Sequence, residues 1–562
     1  MKPFCILCLL VAVVLPASAL DREAFSFTRY ELDLSLDPSQ QRLGVRGKIT
    51  LRNDSDSPQR SATLQISSSL HWAAIHMDGK TAEFVTQTYA SDIDHTGALS
   101  EAIVTLPKPL ARGGAVELTV AYEGVIPQDT TRLTRVGVPA DTAKHSDWDQ
   151  ISPSFTGLRG ISYVVWYPVA THSASMSDAT SVSETVGRWK RREPEAEMRV
   201  SVSFPGLSDR QRLFCGEAGP AEPGTGAECL WRNLDTSIPF IVVSTQELLS
   251  AESVEIFYLP EHRSGAEDYA LALKQVAPSV SVWLGGRNPA KDTRARVIDL
   301  PDANAAPFES GNTLLMPLTA DETSLLLMAV QQYSRLNFPS PRAWISLGLG
   351  GFAQLRYIEQ EKSRETAQAY LQNHREALID AERPKEGSDP AAHSLINSTD
   401  EFFVRTKATN VWWMLRELVG ETALTAALHT YKAEDDKDAM YMQRLLEAQS
   451  HRDLTWFFDD WVYRDRGLPD FHVASVFSRE VVGGGYMVTV TVENLGGAGA
   501  EIPVILKMTT KDAVEKIVVP GKSKASVRIL AGSAPIKAVV NDGSVPESNT
   551  QNNEYVIESL DH

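Results

Sequence analysis

The 562-residue chain is poor in cysteine, with four, and it has no excess of positive charge: 54 Lys and Arg face 72 Asp and Glu, a net charge of −18. An acidic chain of this kind does not offer the basic face that nucleic acid requires, so nucleic acid is excluded as a partner. After the first nineteen residues no apolar run is long enough to cross a bilayer, the run Leu325 to Val330 being far too short. Two catalytic signatures are also missing. No His-x-x-x-His occurs among the twelve histidines, and no Gly-x-Ser-x-Gly elbow occurs. There is no His between His262 and His374 and no Glu between Glu322 and Glu359.

What is present begins with an export signal. Lys2, the apolar run Phe4 to Leu15 and Ala17-Ser18-Ala19 fit a cleaved signal peptide over 1–19. An exported chain, periplasmic or secreted, is the expectation, with no transmembrane segment after cleavage. Cys5 and Cys8 leave with the signal. Cys215 and Cys229 then remain, close together in an oxidising compartment, and read as one disulfide.

Three composition zones follow, and the length supports several domains. Residues 20–250 carry period-two alternation, as in Tyr30, Leu32, Leu34 and Leu36, and read as one all-β domain. Residues 251–470 switch to helical spacing. Helices are expected over Ala266–Leu284, Ala320–Arg335, Phe352–Glu361, Ser363–Ala381, Thr409–Leu418 and Met440–Ala448. After Gly467-Leu468-Pro469 strands return, and 471–562 reads as a β-sandwich. The fold class is therefore multidomain α+β.

Several phrases in this order resemble one family. Arg29-Tyr30-Glu31-Leu32-Asp33-Leu34 with Val45-Arg46-Gly47-Lys48-Ile49 resembles its opening strands. Trp344-Ile345-Ser346-Leu347-Gly348 resembles its Trp-Leu-x-Glu-Gly phrase. Thr406-Lys407-Ala408 through Met414-Leu415-Arg416, and Trp456 to Tyr463 followed by Gly467-Leu468-Pro469, resemble its later helices. The chain resembles the membrane alanyl aminopeptidases, gluzincin metallopeptidases. The resemblance implies an N-terminal saddle-like β domain, a thermolysin-like helical domain and a C-terminal β-sandwich.

The family's chemistry needs His-Glu-x-x-His on one helix, with both His on one face binding Zn²⁺, a third-ligand Glu on the next helix, and a Tyr for the oxyanion. In this sequence the motif helix is Ala320–Arg335. One register places the two His positions at Ser324 and Met328, and the other at Val330 and Ser334, with Gln331 beside them. The third-ligand position falls at Leu347, and the Tyr position at Val404 or Arg405. Phe308-Glu309-Ser310-Gly311-Asn312 is a remnant of the family's Gly-x-Met-Glu-Asn strand. None of the replacing residues is a zinc ligand of that type. No cofactor and no metal site are therefore expected, and zinc only under the alternative below.

The expectation is an exported, aminopeptidase-like protein without peptidase activity, holding a peptide or protein in the cleft between the β and helical domains. Arg405, Lys407 and Arg416 are candidates to line that cleft and take a carboxylate; solvated ion pairs are the plainer reading. Two alternatives stay open. One is an active zinc aminopeptidase with non-standard ligands, from His374, His393 and Glu359. The other is a structural or interaction protein of the cell envelope.

Overall fold

A computed structural model describes residues 20–178, 180–193, 196–204, 210–216, 227–235, 237–285, 295–382, 394–482, 484–509 and 511–557. The signal segment 1–19 and His393 lie outside these residues. The chain is a multidomain α+β protein, with six sheets among the described residues.

The N-terminal third is built on a seven-stranded sheet. Phe25–Asp37 pairs antiparallel with Arg42–Asn53 and parallel with Glu197–Ser203. The alternation read from the sequence is what makes it one-sided. Tyr30, Leu32, Leu34 and Leu36 are buried while the residues between them face outward. Two three-stranded sheets complete this region. One of them holds Gln211–Cys215, whose Cys215 is bonded to Cys229 of strand Ala227–Trp231 in the seven-stranded sheet. The disulfide thus ties two sheets together, with Cα atoms 5.4 Å apart.

The region expected to be all β also carries helices: the short Thr131–Arg135 and Ala140–Ser146, and the longer Ser181–Arg192. Val182, Thr185, Val186 and Trp189 are buried at helical spacing, so the period is 3.6 here and was masked by polar neighbours. Gly187 lets this helix lie flush against the segment entering helix Glu401–Val419. A Cβ there would sit 1.8 Å from the carbonyl oxygen of Thr399. Ser183 donates to Asp400 at 2.6 Å, and Lys190 pairs with Glu401.

Strands are also present where the sequence suggested mainly helices. Glu247–Ala251, Val254–Tyr258, Ala295–Asp299, Thr313–Met316 and Phe308–Ser310 form one five-stranded sheet in that order. Its three middle strands, Val254–Tyr258, Ala295–Asp299 and Thr313–Met316, run parallel. Parallel strands covered on both faces lose the alternation that marks a strand, as in Thr313-Leu314-Leu315-Met316, buried throughout. Glu247–Ala251 hydrogen-bonds into this sheet rather than into the preceding ones.

Helix Arg263–Leu284 crosses between the first parallel strands. Helix Glu322–Asn337 starts at Asp321, whose side chain accepts from Ser324 N at 3.1 Å. Helix Ala343–Glu361 begins nine residues before the expected Phe352. The expected Ser363–Ala381 helix is two, Arg364–Gln372 and Arg375–Ala381. Helix Glu401–Val419 begins at Asp400, which accepts from Phe402 N and Phe403 N at 3.0 and 3.1 Å. No helix among the described residues is long and apolar enough to cross a membrane.

The C-terminal region stacks a three-stranded sheet (Phe471–Glu480, Tyr486–Asn494, Lys524–Ala531) against a four-stranded one (Ala513–Val519, Ala500–Lys507, Lys537–Val540, Glu554–Val556). Its core is continuous with the helices: one hydrophobic cluster runs from Ala251 through Trp412 and Trp461 to Val545. The N-terminal sheets have a cluster of their own. A third, small cluster holds Trp148, Phe155, Phe214, Phe240 and Phe308.

Candidate functional site

Helices Glu322–Asn337 and Glu401–Val419 reach the edge strand Phe308–Ser310 at Glu309, and helix Ala343–Glu361 joins them through Gln331. Packing sets the approach of the helices. A Cβ on Gly348 would lie 2.6 Å from Ala408, and one on Gly351 would lie 2.2 Å from Thr409 Oγ1, so only glycine allows these two helices to be this close. Gly350 points the other way. Its Cβ would be 3.5 Å from Cγ of Gln331 on helix Glu322–Asn337.

Glu309 is the hub. Gln331 Nε2 donates to its Oε1 at 2.7 Å. Arg335 Nη1 and Arg405 Nη2 donate to Oε2 at 2.5 and 3.2 Å. Gln354 Nε2 then donates to Gln331 Oε1 at 3.2 Å and to the carbonyl of Leu327 at 2.9 Å. Burial alone would push the Glu309 carboxyl up, but the two guanidinium groups outweigh it and hold it below the ordinary carboxylate range. Strand, first helix, second helix and third helix each contribute one or two members of this closed set. The recess beside Glu309 and Arg335 is small, about 20 Å³, room for about one water.

The positions that the resemblance assigns to zinc chemistry do not fit the metal. Val330 is buried and apolar. The Ser334 hydroxyl is buried and donates back to the Val330 carbonyl at 2.7 Å. Gln331 is committed at both ends of its amide, and Leu347 is apolar and packs on the helical core. Zinc sites take thiolate, imidazole or carboxylate donors, and among the described residues no group of three or more His, Cys, Asp or Glu could hold a metal. Glu359, an alternative ligand, is engaged by Arg356, Arg364 and Arg416. His374 precedes helix Arg375–Ala381.

The three basic candidates are not brought together. Arg405 joins Glu309 and keeps a half-exposed side chain. Lys407, two residues on, is fully buried, 2.5 Å from Glu382 Oε1 and 3.4 Å from Asp465 Oδ1. Burial pushes the Glu382 carboxyl up to about 7 even with Lys407 beside it. Arg416 grips Glu359 with both terminal nitrogens, at 2.5 and 3.2 Å, bonds Glu417 at 3.1 Å and stacks over Trp413. A helix turn of 100° per residue separates 405 from 407 by 200°, which is why Lys407 goes to the core.

Arg335, Gln354 and Gly350 were not singled out from the sequence. Arg335 and Gln331 are four apart, and Gly350 and Gln354 likewise, so each pair shares a helix face. That spacing, read against Glu309, is the signal that was available. A further buried carboxyl, Glu193, also escaped notice. It is 1% exposed, its Oε1 accepts from Phe27 N at 2.9 Å, and its Oε2 has no partner among the described residues. Burial pushes it up to about 8.

Compared with protein-family models and with curated proteins, the chain matches none.

Proposed function

We propose that this chain is an exported, aminopeptidase-like protein without peptidase activity, in which the former catalytic cleft serves to hold a peptide or a protein partner. On this reading 20–250, 251–470 and 471–562 are a saddle-like β domain, a thermolysin-like domain and a β-sandwich. The chain works in the periplasm or after secretion. The observation that carries it is the Glu309 cluster. The residues at the zinc positions are apolar or hydrogen-bonded to one another, and Arg335 and Arg405 neutralise Glu309. A set of side chains that satisfies itself has no activated water to offer, while the half-exposed Arg405 still suits a peptide carboxylate.

The test joins two measurements on the purified mature chain: elemental analysis for zinc, and turnover of fluorogenic aminoacyl substrates. The expected result is no stoichiometric zinc and no turnover, with anisotropy titrations showing that labelled acidic peptides bind and that Arg405→Ala weakens them. About one zinc per chain with turnover would overturn the reading, and so would peptide binding indifferent to Arg405→Ala.

A further inference from the structure

Among the described residues each sheet ends in an edge strand on either side. An edge strand presents a row of unpaired N–H and C=O groups, and charged side chains are the usual guard against another strand pairing there. Every edge strand here but one carries an Asp, Glu, Lys or Arg. The exception is Phe84–Ala90, at the rim of the three-stranded sheet that it forms with Ala98–Leu110 and Gln59–Ser67. It reads Phe-Val-Thr-Gln-Thr-Tyr-Ala, mostly β-forming residues, with no Pro, no Gly and no bulge along its pairing with Ala98–Leu110. Val85 is 62% exposed, and Thr86, Gln87 and Thr88 are exposed with it. Successive residues of a strand point to opposite faces, so both faces stand in water here.

The strand is held in place from its inner side. Gln87 Nε2 donates to Glu101 Oε2 at 2.5 Å, and the Arg22 guanidinium lies 4.3 Å from the centre of the Tyr89 ring. The phase of the ladder decides which backbone groups are left over. Thr105 N donates to the Glu83 carbonyl at 2.8 Å. Bond-exchanging pairs alternate along an antiparallel ladder. Val85, Gln87 and Tyr89 therefore bond to Ile103, Glu101 and Leu99, and the N–H and C=O groups of Phe84, Thr86 and Thr88 point away from the sheet. The Ala90 carbonyl, next in that outward row, accepts from Ser173 Oγ at 2.5 Å and closes the open stretch. No described segment bonds to the other three residues on that side.

We propose that Phe84–Ala90 is a dimerisation edge, which pairs antiparallel with the same strand of a second copy of this chain. Alternating donors and acceptors at strand spacing are met by another extended backbone. The strand is also its own complement. A twofold axis at Thr86 sets Thr86 against Thr86 and Phe84 against Thr88, with about six backbone hydrogen bonds across the axis. Thr–Thr and aromatic–β-branched pairs are favourable cross-strand neighbours. Charge points to the same occupant. Two chains of net charge −18 repel each other, and they meet most easily through a strand that brings no acid to the contact. The edge lies outside the Glu309 cluster and does not depend on how that cluster is used.

Sedimentation velocity of the full mature chain, over roughly 1 to 100 µM, tests it. The expected result is passage from monomer to dimer within that range, weakened about tenfold or more in Thr86→Pro. Proline there removes an outward N–H and no bond of the fold, so this variant should melt as wild type does. Thr86→Lys brings two ammonium groups together at the axis, and it decides the matter if Thr86→Pro fails to fold. A chain that stays monomeric throughout, or wild-type association in a folded Thr86→Lys, would overturn the proposal. So would a monomeric chain that captures a neutral strand peptide of unrelated sequence and loses it in Thr86→Pro, because the edge would then serve another polypeptide.

Discussion

Glu309 and Glu193 are both carboxyl groups removed from bulk water, and they differ in one respect. Glu309 has two guanidinium groups and an amide on its oxygens, and it stays below the ordinary carboxylate range. Glu193 has one backbone N–H on one oxygen and no hydrogen-bond partner among the described residues on the other, and burial carries it up to about 8. Burial alone therefore does not decide the charge of a carboxyl in this fold. The number of cationic partners does. Glu309 is neutralised by arginines, and the unneutralised carboxyl sits elsewhere, at the end of helix Ser181–Arg192.

Three substitutions sharpen or break this contrast. The largest effect is expected from Lys407→Met. It would turn Glu382 from a carboxyl with a buried cation into one without, and leave Asp465 uncompensated as well. Removing one partner of a buried pair costs about 3–5 kcal/mol, to be read from the urea midpoint; a loss below about 1 kcal/mol would mean that the ammonium does not hold the carboxylates.

Glu193→Gln is expected to come next, with an effect that depends on pH. The folded pKa of Glu193 lies above its unfolded value, so the native state holds a proton that the unfolded chain has already lost between about 4.5 and 8. Wild-type stability from this group is intact below that window and falls as pH rises through it. The glutamine variant escapes that fall. It should gain on wild type by roughly 1–3 kcal/mol between pH 5 and pH 8, and thermal melts at the two pH values check it. A difference that does not change with pH would show that Glu193 is ionised in the fold.

The smallest effect is expected from Glu309→Gln, about 1 kcal/mol, because Arg335 and Arg405 keep access to water. The sign of its pH dependence is the reverse. Glu309 is held low, so its contribution is present above the unfolded pKa and is lost as pH falls through the folded one. Melts of wild type and variant should converge below about pH 4.

The sequence made the one-sided strands legible. Tyr30 to Leu36 alternate because one face is dry and the other wet, and the structure buries them in that pattern. It also gave the disulfide, the C-terminal strands and most helices. It hid the five-stranded sheet, since Thr313 to Met316 are covered on both faces and carry no alternation. It hid helix Ser181–Arg192, where four buried residues are set among Ser, Glu, Arg and Lys. For the site, which side chains meet was not legible. The bonds from Gln331, Arg335 and Arg405 to Glu309 join residues 22 to 96 positions apart, and such meetings are decided by packing. The grouping of Arg405 with Lys407 and Arg416 failed because one of them faces the core and another is already gripped by Glu359.

The hydrophobic cluster that passes without a break from the helices into the C-terminal sandwich has a consequence for how the molecule melts. Two bodies that share one dry interior cannot open separately without wetting it, so they should come apart together. A calorimeter heating the mature chain should record two cooperative transitions, one for the N-terminal sheets and one for everything after them, and a chain cut at residue 470 should lose the second as a sharp event.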